Sequence, residues 1–307
     1  MSVPRTTALV LGSLAVLVVG VAAAPADADR PQTGARSAGG TTCAGPTLHK
    51  ADGAAWTCTF DDEFTGSRLD PAHWMPVTSS VSGLIAGGSG ASMGCYTASA
   101  NNIAVRGGHL DLTARKESRP LSCTSLGGAF STRYTAGQVA STRRFSQTYG
   151  RFAIRAKFPA ATVAGLQSTL WLWPQDAAAT GLNGEIDVAE EYSRYADRVI
   201  PTLHYAYDPT TVDTATDTNV ATNYNCMISN VSAFHEYALE WTPTTMTFSY
   251  DGKTCLVDNV KAAGPSPFDQ PYFVILTQTL GIGTNVFDPA RTPLPATTQV
   301  DWVRAWK

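Results

Sequence analysis

The stretch Gly184-Glu185-Ile186-Asp187-Val188-Ala189-Glu190-Glu191-Tyr192 places four carboxylates in seven positions. Ile186 and Val188 alternate with Glu185 and Asp187, so as a strand it has one apolar and one acidic face. Strict alternation carries Ala189 and Glu191 on to the acidic face. A β-bulge after Val188 absorbs one residue and brings Glu190 there instead. At a rise of about 3.3 Å per residue, Glu190 after a bulge lies roughly 13 Å along the chain from Glu185, whereas Glu191 without one lies about 20 Å away.

Two glutamates leaning together close the shorter gap to about 5–5.5 Å, the separation at which a carboxyl pair works by double displacement at a glycosidic centre. Asp187, between them on the same face, raises the pKa of a neighbouring glutamate and keeps it protonated as an acid. An exposed acidic edge strand, or a cation site of several carboxylates, fits the spacing as well.

Short alternating segments surround this one. Asn102–Arg115 reads as a hairpin with its turn at Gly107-Gly108. Gly150–Phe158, Phe234–Trp241, Met246–Tyr250, Lys253–Val257 after the Asp251-Gly252 turn, and Val300–Trp306 alternate too. No window of about 12 residues has a clean helical period. Many close strands with polar turns predict an all-β protein, two antiparallel sheets packed face to face in a sandwich or jelly roll.

Composition agrees. Of 307 residues, 44% are hydrophobic and 15% charged, with 26 Gly and 18 Pro. That suits a turn-rich β protein and is too apolar for a disordered chain. A net charge of -3 offers no electrostatic footprint for nucleic acid or an anionic membrane. Residues 1–28 read as a secretory signal: Arg5, an apolar run from Ala8 to about Ala24, then a small-residue cleavage site at Ala26-Asp27-Ala28, with cleavage after Ala24 as an alternative. The expected product is secreted and extracellular, with no membrane association once the signal is removed. Residues 29–42 form a flexible linker, and the folded domain is expected over 43–307.

Six cysteines suit an oxidising compartment, and none sits in a C-x-x-C pair. Three disulfides have 15 possible connectivities. Pairing neighbours in sequence gives Cys43–Cys58, Cys95–Cys123 and Cys226–Cys255. Gly90-Ala91-Ser92-Met93-Gly94 matches G-x-S-x-G, but no helix follows it, so Ser92 is not read as a nucleophile.

Taken together the residues resemble glycoside hydrolase family 16, retaining endo-β-glucanases and related galactanases with a jelly-roll fold. Glu185-Ile186-Asp187-Val188-Ala189-Glu190 matches the bulged E-x-D-x-x-E motif of its laminarinase-like members. In order along the chain, Asp62-Glu63-Phe64 with Trp74, Asn102-Ile103 with Gly108-His109-Leu110, Tyr149-Gly150-Arg151-Phe152 with Arg155-Ala156-Lys157, Leu170-Trp171, Thr202-Leu203-His204-Tyr205, His235-Glu236-Tyr237 with Glu240-Trp241, and Asp301-Trp302-Val303-Arg304 look like further family patches. The resemblance spans roughly residues 55–307.

It implies a concanavalin A-like concave cleft and a β-linked polysaccharide substrate, β-1,3-glucan or mixed-linkage glucan first and a galactan behind them. Glu185 would be the nucleophile, Glu190 the acid and then base, and Asp187 the residue tuning the nucleophile. Trp171, His204, Tyr205, Asn102 and Gln278 would contact substrate. No cofactor is needed for catalysis. A structural calcium would be held by the backbones of Glu63 and Gly108 and the Asp301 side chain. The sequence departs from the pattern where Gly165-Leu166-Gln167-Ser168-Thr169 and Thr180-Gly181-Leu182-Asn183-Gly184 lack the family's platform tryptophans, which puts β-1,3-glucan specificity in question. A non-catalytic carbohydrate binder on the same fold, or a transglycosylase, is the competing expectation. Nothing suggests an assembly surface, so a monomer is expected.

Overall fold

The computed structural model describes residues 16–18, 43–79, 84–86, 93–125, 128–176, 184–205, 220–260 and 266–307. Nearly all of the expected leader and linker, and Ser92, lie outside them. In chain order the strands are Val16–Val18 (β1), Cys58–Asp62 (β2), Met75–Pro76 (β3), Leu84–Ala86 (β4), Cys95–Tyr96 (β5), Ile103–Arg106 (β6), His109–Ser125 (β7), Gly128–Ala140 (β8), Gly150–Lys157 (β9), Leu166–Pro174 (β10), Glu185–Tyr192 (β11), Ile200–His204 (β12), Val220–Thr222 (β13), His235–Trp241 (β14), Met246–Tyr250 (β15), Lys253–Asp258 (β16), Tyr272–Leu280 (β17) and Ala296–Trp306 (β18). β1 and β4 form a separate two-stranded ladder.

The other strands form two layers. The inner layer runs β13-β12-β11-β10-β17-β8, and the outer layer runs β7-β18-β9-β14-β15-β16, with β6 on β7 and β2 on β18. The long β7–β8 hairpin belongs to both and joins them edge to edge. Pairing is antiparallel except between β5 and β8 among the described residues.

The core between the layers explains why these segments are strands. From the inner layer Leu170, Leu172, Ile186, Leu203, Val274 and Leu276 meet Phe152, Ile154, Tyr237, Leu239, Trp241 and Phe248 of the outer one. Each strand offers alternate residues to this core, as a two-residue period requires. β9 begins at Gly150 with φ +108°, and a Cβ there would stand 2.2 Å from the Trp306 carbonyl oxygen, so only glycine fits. All three disulfides form as the sequence suggested: Cys43–Cys58, Cys95–Cys123 and Cys226–Cys255.

One core side chain is an acid. Glu191 on β11 is fully buried and faces the outer layer. Ser168 of β10 approaches its Oε2 at 3.5 Å. Ser168 and Thr298 of β18 both donate to Gln278 Oε1 of β17, at 2.8 and 2.7 Å. From β14 the buried Tyr237 hydroxyl shares this region. With no cation against it among the described residues, burial pushes Glu191 up to about 8. The native state therefore holds a proton that the unfolded chain releases near its ordinary 4.5. The stability this contributes is complete below that pH and is lost as pH rises to about 8. Glu191→Gln should flatten the pH dependence of chemical denaturation over this window by about 1.4 kcal/mol per pH unit, the slope of one bound proton. An unchanged slope would show that Glu191 is already ionised in the folded protein.

Candidate functional site

The register of β11 determines which of its acids share a face. Against β10, Asp187 lies opposite Trp171 and Ala189 opposite Leu170, so Val188 has no partner. Against β12, Asp187 lies opposite Thr202 and Glu190 opposite Ile200. Val188 and Ala189 both enter the inter-sheet core beside Ile186. Two successive side chains on one face mark a bulge. Beyond it Glu190 and Tyr192 emerge on the face carrying Glu185 and Asp187, while Glu191 returns to the core.

Glu185, Asp187 and Glu190 line one pocket, together with Gln167, Thr169 and Trp171 of β10 and Thr277 and Thr279 of β17. The three acids are nearly buried, at 5%, 2% and 5% exposure. Gly184, the residue before Glu185, fixes the strand's entry: a Cβ there would lie 2.6 Å from the Tyr272 hydroxyl and 2.9 Å from Phe268 and Pro267.

Glu190 is held at both oxygens. Tyr192 donates to Oε1 at 2.7 Å, with Gln167 Nε2 3.4 Å from the same atom, and Thr202 meets Oε2 at 3.3 Å. Burial first, and then the charge of Asp187, push Glu190 up to about 8 against the pull of Tyr192, His204 and Thr202. A carboxyl so placed keeps its proton at neutral pH and can donate it. His204 stands opposite Glu185 across the β11–β12 ladder, with Nε2 3.2 Å from Asp187 Oδ2. Both are buried.

Trp171 is in the pocket, its indole donating to Thr277 Oγ1 at 3.0 Å. Trp173 joins Val77, Tyr96, Phe273 and Ile275 in a satellite cluster on the same side of the inner sheet. Three expected substrate contacts are placed elsewhere. Gln278 pairs in register with Ser168 on the core face and donates to the Gln167 and Thr279 carbonyls. Asn102 is buried as a bracket: its amide donates to the Thr113 carbonyl and the Thr135 hydroxyl, and its oxygen accepts from Thr97. Tyr205 follows His204 with opposite parity. Its hydroxyl donates to Asp258, and its ring meets Phe268 edge-on. Parity explains Gln278 and Tyr205, since odd and even neighbours on a strand face opposite layers.

Of the expected calcium ligands, Asp301 and Glu63 both have cationic side-chain partners. The Asp301 carboxylate is ion-paired with Arg155 and lies 3.8 Å from His109 Nε2. The Glu63 side chain pairs with Arg304 at 2.7 Å. Among the described residues no group of three or more His, Cys, Asp or Glu could hold a metal.

Sequence reasoning missed Tyr192, Thr202, Thr169, Thr277 and Thr279 as pocket or Glu190 contacts. Tyr192 was within reach of it, two residues beyond Glu190 and therefore on its face. The threonines lie on strands buried on both faces, where alternation is invisible.

The model of the family described as Glycosyl hydrolases family 16 matches residues 92–303. A glucan endo-1,3-beta-glucosidase A1 of Niallia circulans is 30% identical over 272 residues, covering 83% of this chain, which spans 38% of that protein's length. A beta-glucanase of Rhodothermus marinus is 30% identical over 272 residues, covering 82% of this chain and 85% of its own. The solved laminarinase from Rhodothermus marinus superposes with a TM-score of 0.65 at 28% identity, covering 82% of this chain and 97% of its own. The family model spans most of the chain and the relatives agree with it: the chain belongs to glycosyl hydrolase family 16.

Proposed function

We propose that this chain is a retaining endo-glycosidase that cleaves β-linked polysaccharide, with β-1,3-glucan or mixed-linkage β-glucan as its substrate class. The observation that carries this reading is the bulge at Val188, which gathers Glu185, Asp187 and Glu190 on one pocket while leaving Glu190 protonated near neutrality. The names of the Niallia and Rhodothermus relatives support the substrate class.

In the first half-reaction Glu190 gives its proton to the glycosidic oxygen as that bond breaks. The Glu185 carboxylate forms a bond to the anomeric carbon, giving a covalent glycosyl-enzyme. Tyr192 and Gln167 approach Glu190 Oε1 and Thr202 approaches Oε2, which fixes the carboxyl in the pocket. In the second half-reaction the Glu190 carboxylate takes a proton from water, whose oxygen displaces Glu185. Two inversions retain the anomeric configuration. Asp187, with His204 against it, keeps negative charge beside both glutamates. This raises Glu190 and holds the proton where the first step needs it.

We further propose that the chain is exported with residues 1–28 removed, consistent with its three disulfides. A monomer fits the scattered exposed large apolar residues, Met227, Val257 and Val286. In this reading catalysis needs no cofactor, and a calcium held by the Glu63 and Gly108 backbones and the Asp301 side chain would be structural only.

Glu185→Gln should lower hydrolysis of every accepted glycan by about 10³-fold or more while leaving glycan binding in place. Full turnover in that variant would remove the nucleophile assignment, and wild-type binding without any hydrolysis would favour a lectin-like protein. The alkaline limb of kcat/KM should fall near pH 8, where Glu190 loses its proton. Asp187→Asn removes a negative charge that raises Glu190, so the limb should move to lower pH. A limb that stays in place or moves upward in a pH–rate profile would contradict the coupling.

A further inference from the structure

Gln167 has an amide oxygen that the mechanism above does not use. It is 3% exposed, in the wall of the carboxylate pocket beside Thr169 and Thr279. Its Nε2 lies 3.4 Å from Glu190 Oε1, the oxygen that also accepts the hydrogen bond from the Tyr192 hydroxyl. Tyr192 already donates to this oxygen, which therefore serves as an acceptor, so the amide nitrogen faces it and the amide oxygen faces away. That oxygen, Oε1, is buried and has no hydrogen-bond partner among the described residues.

A buried carbonyl left unmet costs free energy, and native proteins leave few of them. A pocket wall is where a ligand hydroxyl can supply the missing donor. Gln167 offers an acceptor and a donor edge but no ring face, so it selects by hydroxyl pattern and not by stacking.

We infer that Gln167 is a specificity-determining residue of the glycan site: its Nε2 steadies Glu190, and its Oε1 accepts a hydrogen bond from a hydroxyl of the pyranose unit bound beside the acid. The ligand class is a β-linked pyranose chain that presents a hydroxyl edge, not a sugar face, at this point. A site built around such a hydrogen bond discriminates strongly against a sugar that cannot donate it. The inference rests on the glycosidase reading for its ligand, but its test reads binding alone.

The experiment titrates laminari-, mixed-linkage gluco- and galacto-oligosaccharides by calorimetry into Glu185→Gln protein, with position 167 as Gln, Met or Leu. Methionine is close to glutamine in shape, and Leu serves if the Met variant folds poorly by circular dichroism. The expected result is a loss of at least about tenfold for the tightest ligand and a much smaller loss for the weaker ones, which narrows the range of affinities. Affinities within twofold throughout, or an equal loss on every oligosaccharide, overturn the inference. Wild-type hydrolysis is assayed in parallel. Hydrolysis with binding indifferent to Gln167 leaves the enzyme reading intact and removes this one. Gln167-dependent selective binding without hydrolysis does the reverse.

Discussion

One unpaired residue in β11 governs the chemistry of the molecule. Val188 has no partner on β10, and with Ala189 it turns into the core, so the side-chain order of the strand reverses at that point. A strand without it would send Glu191 to the pocket and bury Glu190 between the sheets. The neighbouring ladders show how the shift is tolerated. β10 and β12 both absorb it as a register change against β11, and β17 continues in uninterrupted pairing with β10. The distortion is confined to a central strand braced on both sides, a place where a bulge re-aims side chains without loosening the layer.

Two adjacent glutamates then experience opposite surroundings with the same sign of effect. Glu190 and Glu191 are both pushed up to about 8, and burial is the largest cause for each. Glu190 also feels the Asp187 charge and is gripped by Tyr192 and Thr202, so its proton is held next to a pocket. Glu191 has the Ser168 hydroxyl near Oε2 and no partner for Oε1 among the described residues, so its proton is held in a core. On the reading proposed here the first proton is transferred to substrate and the second only supports the fold. On this reading the stability held by Glu191 falls as pH rises from about 4.5 to about 8, whereas activity falls only near pH 8, for separate reasons.

Much of this was legible in the sequence because the outer layer obeys a simple period. β9, β14, β15 and β18 each have one face on the inter-sheet core, and their alternation is plain in the letters, although Ala153, Ala238, Trp302 and Trp306 on the opposite face pack in a second buried cluster. The Gly107-Gly108 and Asp251-Gly252 turns also fall where they were read. The acidic triad was legible because Glu191 is too far along an unbulged strand to meet Glu185. The inner layer was harder to read. β10 and β17 are buried on both faces, so polar residues such as Ser168 and Gln278 face the core while Thr169 and Thr277 face the pocket. Nothing in Gln278 itself says which layer it serves; only its pairing with Ser168 does. Asn102 lost its expected role because its bonding capacity is consumed by Thr97, Thr113 and Thr135, contacts made by chain segments distant in sequence. The Arg155 partner of Asp301 comes from another strand, and no local motif records it.

The direct measurement compares kcat for Glu190→Gln with kcat for Glu191→Gln on one unactivated β-glucan, both variants verified as folded. If the extra residue sets the facing of this strand, the first substitution removes turnover by about 10³-fold and the second leaves it near that of the parent. The opposite ranking, or equal losses from the two neighbours, would mean that the strand faces the other way in solution and that the acid has been assigned to the wrong glutamate.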